Sequence, residues 1–303
     1  MSRMRCPDRS DQTHEKAMTS DPLPVPHLFD RRLLAARIER ARRLGPVSFL
    51  LDRVDEDIDD RLAMVKRNFN HALDLWTPGA GLEAPRHRLK ALRHVEVAGN
   101  GSESLSLESE SLDLVLSALS FQFVNDLPGV LAQLRRALRP DGLLLAAMVG
   151  GDSLHELRHA FAVAEVECEG GMSPRVVPFA DVRELGSLLQ RAGFALPVVD
   201  RDRIIVRYDD AFALMADLRR MGATNLLNQR RRTLTRPRTM VRMAEVYRES
   251  FADPDGRLRA SFEIVWLSGW APHDSQQKPL KPGSARMSLE QAVLKAGETS
   301  KGG

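Results

Sequence analysis

The sequence predicts an α/β fold built on a doubly wound, mostly parallel sheet, and three observations predict it. Two stretches, Leu112 to Leu119 and Leu143 to Met148, are almost continuously apolar, the pattern of strands covered on both faces. Between them Leu127, Val130, Leu131, Leu134 and Leu138 recur at helical spacing until Pro140-Asp141-Gly142 stops the repeat. Strand, crossover helix and strand in this order make a parallel βαβ unit. The third observation is the overall mix: 303 residues, 43% hydrophobic and 28% charged, suit one large globular domain or at most two.

Taken in order, residues 1–26 carry Pro22, Pro24 and Pro26 at the end of a polar stretch, too little apolar surface to offset chain entropy, and are expected to be a disordered tail. Order is expected from Phe29, where Leu34, Ile38 and Ala41 share one helix face and Arg31, Arg37, Arg40 and Arg43 the other. That face reads as a docking surface or, as charge runs usually do, as a solvated one; the solvated reading is favoured. Ala72 to Trp76 reads as a strand leaving into Pro78-Gly79-Ala80-Gly81. After the central βαβ unit, helices are expected over Ser153 to Glu167 and Asp181 to Gly193, and strands over Arg203 to Tyr208 and Ser261 to Trp266. A helical insertion over about 209–255 lies between those strands and is expected to roof the ligand edge of the sheet. The domain so defined spans 27–272, with a polar, mobile tail over 273–303.

Charge and composition exclude several classes. The formal net charge is +3, from 44 basic and 41 acidic residues, so nucleic acid is not an expected partner. No apolar run approaches the roughly 18 residues that cross a bilayer, and residues 1–26 hold no apolar segment of a targeting peptide. A cytoplasmic location is the default. With Cys6 and Cys168 alone, neither a disulfide framework nor a multi-cysteine metal site is possible, and His155, His159 and His273 are too scattered for a metal triad.

In an open parallel sheet ligands bind outside the carboxyl ends of the strands, so the turns after Trp76, Leu119 and Met148 should share one crevice. Gly79 and Gly81 read equally as a tight turn or as a place where backbone approaches a ligand. Asp113, Ser117, Ser120 and Gln122 are expected to mark the carboxyl end of the central strand. Gly150-Gly151-Asp152 fits a strand-to-helix turn in which Asp152 or Ser153 caps the helix and Glu156 completes a capping box; substrate contact is the sharper alternative. His273, Asp274 and Gln276 form a polar group near the last strand, with surface roles favoured. Met221, Met240 and Met243 read as core filling.

The block from Leu112-Asp113-Leu114-Val115-Leu116-Ser117-Ala118-Leu119-Ser120-Phe121-Gln122-Phe123 to Leu138-Arg139-Pro140-Asp141-Gly142 resembles the central part of class I S-adenosylmethionine methyltransferases. It is similar in particular to the branch of the malonyl-carrier-protein methyltransferases and the mitochondrial complex I assembly factors. Three stretches match the assembly-factor branch: Gly150 to Arg158, Glu169-Gly170-Gly171-Met172-Ser173-Pro174, and Gly269-Trp270-Ala271-Pro272-His273-Asp274-Ser275-Gln276. The resemblance runs from Phe29 to Ser288. It implies a Rossmann-like methyltransferase fold, S-adenosylmethionine as cofactor, and a protein substrate or partner in the assembly of respiratory complex I, with arginine hydroxylation of a complex I subunit or a noncatalytic assembly role as alternatives. Cofactor contacts are expected at Asp74, Gly79, Gly81, Glu103, Ser117, Leu119 and Ser120. Substrate or partner contacts are expected at Gln122, Gly151, Asp152, Glu156, His273 and Gln276. No catalytic residue and no metal ligand is assigned.

The departures from the family pattern are local. Trp76 stands where the family's glycine turn begins, and Pro78 removes an N–H donor. Glu96 falls near the count for a ribose-binding acid, yet Val95-Glu96-Val97-Ala98 aligns with the family's third strand. The second strand is therefore expected to be deleted or vestigial. A ring at position 76 that points into the crevice would fill the methionine pocket, and poor cofactor binding is the favoured expectation.

Overall fold

A computed structural model describes residues 27–276. The tails expected over 1–26 and beyond 276 lie outside the described residues. The described chain forms one six-stranded sheet in the order β2-β1-β3-β4-β6-β5. Its strands are β1 (Ala72–Leu75), β2 (Leu92–Val95), β3 (Leu112–Ala118), β4 (Leu138–Gly150), β5 (Ala195–Tyr208) and β6 (Leu258–Trp270). β2, β1, β3 and β4 run parallel, while β6 is antiparallel to both β4 and β5. The mostly parallel α/β fold is as the sequence predicts.

The central strands behave as their composition requires. Leu114, Val115 and Leu116 of β3 are fully buried, and their alternation sends Leu114 and Leu116 into one apolar layer and Val115 into the other. The first layer is closed by α2 (Phe49–Met64), α4 (His155–Glu169), α6 (Ala211–Arg220) and α7 (Pro237–Phe251). The second is closed by α3 (Leu127–Ala137) and α5 (Val182–Arg191). The helix α1 (Arg31–Leu44) packs with the segment around Leu226 and Leu227 in a third, smaller cluster at the carboxyl end of the sheet. α6 and α7 are the expected insertion between β5 and β6. α2 is hard to see in the sequence, because five aspartates and a glutamate interrupt its apolar stripe of Leu50, Val54, Ile58 and Leu62.

Two expectations are corrected at the left half of the sheet. Of the two alternatives for the second strand, deleted or vestigial, the vestigial one holds: Leu92–Val95 pairs in parallel directly with β1, Ala72 opposite Leu92 and Leu75 opposite Val95. The crossover between them is a single 3-10 turn, Ala84–Arg88, which is why it looks too short for a strand to follow. Val95 ends that strand and is not part of a third one, and among the described residues no strand lies outside β2. Asp113 sits at the amino end of β3, accepting from the Asn70 and His71 N–H groups at 2.8 and 2.9 Å, and so leaves the carboxyl-end group that was expected to include it.

The helix caps are also redistributed. α4 has Leu154, at φ +54°, in the N-cap position with no side-chain cap, so the expected capping box is absent. Ser153 instead bridges β4 and β6, its hydroxyl donating to Gly150 O at 2.7 Å and accepting from Glu263 N at 2.8 Å. Residues 273–276, expected to begin a mobile tail, form a turn pinned to the sheet by Gln276, whose Nε2 donates to Asp141 Oδ1 and Ala271 O at 2.9 and 2.8 Å.

Candidate functional site

β1 pairs with β2 on one side and β3 on the other, so successive connections leave β1 in opposite directions and open a crevice at its carboxyl end. A cavity of about 850 Å³ occupies that place. Its floor is the glycine turn Pro78 to Gly81 together with Leu119, Ser120 and Gln122. Its roof is α6 and the loop after it, Met215 to Asn225 and Arg230 to Arg232. The insertion therefore roofs the ligand edge, as the sequence reading expects.

Asp74 is completely buried at the end of β1 and does not face the cavity. One carboxylate oxygen accepts from the Thr77 hydroxyl, and the other accepts from Leu82 N at 2.9 Å and lies 2.9 Å from His94 Nδ1. Thr77 in turn accepts from Ala118 N at 3.0 Å. Asp74 thus sets the shape of the turn and ties it to β3. Gly81, at φ +89°, is required by this packing, since a Cβ there would stand 2.5 Å from Asp74 Oδ2 and 2.8 Å from His94 Nδ1. Gly79 is different: a Cβ there meets nothing within 4 Å, so its surface toward the cavity is open.

Ser117 and Ser120 close the β1–β3 seam. The Ser117 hydroxyl donates to Leu75 O at 2.8 Å and shares a 2.9 Å hydrogen bond with Ser120. Leu119 lies in the left-handed region at φ +52°. Gln122, with 7% of its surface exposed, spans the next seam: its Nε2 donates to Leu119 O at 2.7 Å, and its Oε1 accepts from Val149 N at 3.4 Å. Gln122 therefore belongs to the floor with Leu119 and Ser120.

Six further expected contacts are placed elsewhere. Glu103 is absent from the cavity lining and accepts from Asn125 N and Asp126 N, both at 2.8 Å, with the Arg31 Nε 3.3 Å away. Gly151 and Asp152 lie in the β4–α4 turn, where a Cβ on Gly151 would overlap the Glu263 carboxylate. Glu156 is buried and accepts from Ser261 Oγ at 2.6 Å and Ser261 N at 3.2 Å, fastening α4 to β6. His273 and Gln276 are at the opposite edge, beside Asp141 at the amino end of β4, because β6 runs antiparallel and delivers its end to the wrong side. Among the described residues no cluster of His, Cys, Asp or Glu could hold a metal ion.

Glu96, which sequence reasoning set aside, and Trp76, which it expected to fill the methionine pocket, are both at the site. Glu96 follows the last residue of β2, at the tip of the strand beside β1, in the place of a ribose-binding acid. It accepts from Arg42 at 2.6 Å, and Arg42 also donates to Gly79 O at 3.3 Å. Its distance in sequence from the glycine turn points to this role, and the short crossover Ala84–Arg88 hides the strand that delivers it. Trp76 keeps the left-handed conformation of a turn glycine, φ +63°, with 2% of its surface exposed and the Arg31 guanidinium 4.3 Å above its ring. With Ile38 and Arg42 it lines both the main cavity and a second hollow of about 240 Å³ that holds Glu96. Trp76 is a partition between the two spaces, and neither fills the main cavity nor turns wholly away from it.

Of the arginine face of α1 expected to be solvated, Arg40 and Arg43 are exposed, whereas Arg31 and Arg37 turn into the fold, and Arg37 joins Arg42 in the cavity wall. Arg31 is 4% exposed, Arg37 donates to Asn225 O at 2.5 Å, and Arg42 holds Glu96. Burial lowers the Arg31 guanidinium below its usual value, against the opposing pull of Glu103. Burial first, then the neighbouring charges of Arg230 and Arg40, push Arg37 down to about 10. Buried Glu165 accepts from Ser173 N and Oγ at 2.6 and 2.8 Å and from Arg175 Nε at 2.7 Å. Asn225 donates to Pro174 O at 2.6 Å. The Glu169 to Pro174 motif is thus the strut that holds the roof.

Comparison with known proteins fits this geometry. Residues 67–146 match the family model described as a methyltransferase domain. Among curated proteins, the chain is 36% identical over 285 residues to the mitochondrial arginine-hydroxylase NDUFAF5 of Danio rerio, covering 87% of this chain and 88% of that one. It is 39% identical over 286 residues to the protein of the same name in Homo sapiens, covering 87% and 82%. To the malonyl-[acyl-carrier protein] O-methyltransferase of Xylella fastidiosa it is 35% identical over 257 residues, covering 81% and 84%. A shared length this complete, with a parallel sheet whose cavity opens at the β1–β3 switch point, places the chain in the S-adenosylmethionine-dependent methyltransferase-like family that holds the NDUFAF5 proteins and the malonyl-carrier-protein methyltransferases.

Proposed function

We propose that this chain binds S-adenosylmethionine in the crevice at the carboxyl ends of β1, β2 and β3 and acts on a protein substrate or partner, a subunit of respiratory complex I. The observation that carries the cofactor reading is the pairing of an open glycine surface with an acid at the tip of β2: Gly79 has no atom within 4 Å of a Cβ position, and among the described residues Glu96 bonds only with Arg42. These residues fit the group. Gly79, Leu119 and Ser120 would hold its amino-acid end and Glu96 its ribose. When bound, S-adenosylmethionine supplies an electrophilic methyl group. The chain's own residues bind and orient: Asp74 and Thr77 fix the turn, Gln122 joins the β3 and β4 ends of the floor, and α6 covers the site from water. Arg42 holds the ribose acid until a diol replaces it.

Calorimetry of the full chain with S-adenosylmethionine and S-adenosylhomocysteine tests this. Weak but measurable binding that Glu96→Gln removes is the expected result. No heat at millimolar ligand, in wild type and in Arg42→Ala alike, would overturn it. A second reading, an assembly factor that keeps the fold without the chemistry, is favoured by one observation: Trp76, Ile38 and Arg42 divide the space a nucleoside would occupy. Capture from lysate of a complex I subunit by a chain that binds neither nucleoside supports that second reading.

A further inference from the structure

The wall of the main cavity is chemically one-sided. Eight arginines line it, and among the described residues no aspartate or glutamate does. Four of the eight are matched by carboxylates outside the lining: Arg42 by Glu96, Arg175 by Glu165, Arg230 by Asp30 and Arg231 by Glu169. The other four, Arg37, Arg219, Arg220 and Arg232, have no carboxylate partner among the described residues. Arg37 is the most constrained of these. It is half-buried, its one hydrogen bond goes to a backbone carbonyl, and Arg230 and Arg40 repel it. Asp30, the nearest opposing charge, already caps α1 through Leu33 N at 3.0 Å and pairs with Arg230 at 3.3 Å. A half-buried guanidinium held next to like charges is costly unless an anion joins it.

Between this cluster and the glycine turn the lining is apolar. Leu157 and Phe161 of α4, Val177, and Met215 and Leu218 of α6 form it. Arg37 precedes Arg42 by five residues on α1, so the unmatched cation stands about 7.5 Å along the helix from the residue that touches Gly79 and Glu96.

We propose that the end of the cavity under Arg37 and Arg230 binds an oxyanion, carboxylate or phosphate, carried on an apolar chain that lies along the α4 and α6 walls. The inference deepens the proposed function, and it rests on that reading only in taking this occupant for the acceptor that meets the cofactor. The chemistry selects by sign. A carboxylate or phosphate gains charge-assisted hydrogen bonds from Arg37, which has no carboxylate partner among the described residues, and from Arg230, which it would share with Asp30. A neutral chain gains burial alone, and a free guanidinium or ammonium meets only like charge.

Titration calorimetry of the full chain tests this with four probes: decanoate and decyl phosphate below their micelle concentrations, inorganic phosphate, and decanol. Decanoate and decyl phosphate are expected to bind, with Arg37→Gln weakening both by about tenfold and Arg37→Lys by less. Inorganic phosphate is expected to give no heat, and decanol to bind weakly and equally to wild type and Arg37→Gln. Flotation with phosphatidylglycerol vesicles separates a free amphiphile from a lipid headgroup: either source supports the site if Arg37→Gln weakens capture. Decanol binding as tightly as decanoate, inorganic phosphate binding as tightly as decyl phosphate, or decanoate affinity unmoved by Arg37→Gln at unchanged melting temperature would each overturn the proposal. Should decanoate bind while S-adenosylhomocysteine does not, the donor reading falls and the anion site stands.

Discussion

At the scale of single residues, Trp76 carries the largest conflict. A bulky residue at φ +63° sits in a conformation that costs about 1 kcal/mol, yet its buried ring belongs to the same apolar cluster as Phe121 and Val124 and lies beneath Arg31. Replacing a buried tryptophan by a small residue costs about 3–5 kcal/mol, so Trp76→Gly should lower stability by roughly 2–4 kcal/mol after the backbone relief. The same change removes the partition, and S-adenosylhomocysteine should bind more tightly to the variant than to wild type. A thermal melt and a titration on one preparation check both signs. Gly81 offers the converse. Gly81→Val should destabilise the chain by driving a side chain into Asp74 and His94, whereas Gly79→Ala, strained only at φ +80°, should cost about 1 kcal/mol. The sequence made Trp76 legible as an intruder in a glycine turn. It hid Glu96, because a crossover of one 3-10 turn does not look long enough to deliver a second strand.

Among the elements, α1 and the strut under the roof decide access. Helical spacing made α1 legible, but the destination of its arginines was not, since a charged helix face looks the same whether water or another element covers it. The structure sends Arg31 over the Trp76 ring, Arg37 to Asn225 O and Arg42 to Gly79 O and Glu96. Arg42→Ala should free Glu96 and raise nucleoside affinity severalfold, and Glu96→Gln should cancel that gain; a double-mutant cycle reads the coupling. The strut is stricter. Glu165 is 1% exposed and collects Ser173 and Arg175, so Glu165→Gln leaves the partly buried Arg175 guanidinium short of its counter-charge, at a cost of about 2–3 kcal/mol. Because Pro174 O is the acceptor for Asn225, the loosening should spread to residues 222–232. Hydrogen exchange there should quicken while exchange in β3 stays slow.

For the whole molecule, strand direction sorts the specific motifs into near and far edges. The parallel strands β1, β3 and β4 carry their carboxyl ends to the cavity, and antiparallel β6 carries its end away from it. Periodicity made the central βαβ unit legible, since Leu114, Val115 and Leu116 are apolar for the same reason that they are buried. It could not show that the last strand turns round, and so the His273 to Gln276 group was counted with the site. In the fold that group is a buttress. Ala271 exchanges backbone hydrogen bonds with Asp141 and Gly142, Arg67 pairs with Asp141 and lies 5.4 Å from the Trp270 ring, and Gln276 bonds both Asp141 and Ala271. Gln276→Ala should therefore cost about 1 kcal/mol, a fall in melting temperature of about 2–4 °C for a domain of this size. It should leave the affinities for S-adenosylhomocysteine and decanoate unchanged. Glu96→Gln, on an exposed side chain at the near edge, should do the reverse, moving nucleoside affinity and not the melt. If Gln276→Ala weakened nucleoside binding at an unaltered melting temperature, the two edges would be coupled, and the division of the molecule into a binding edge and a buttressed edge would be wrong.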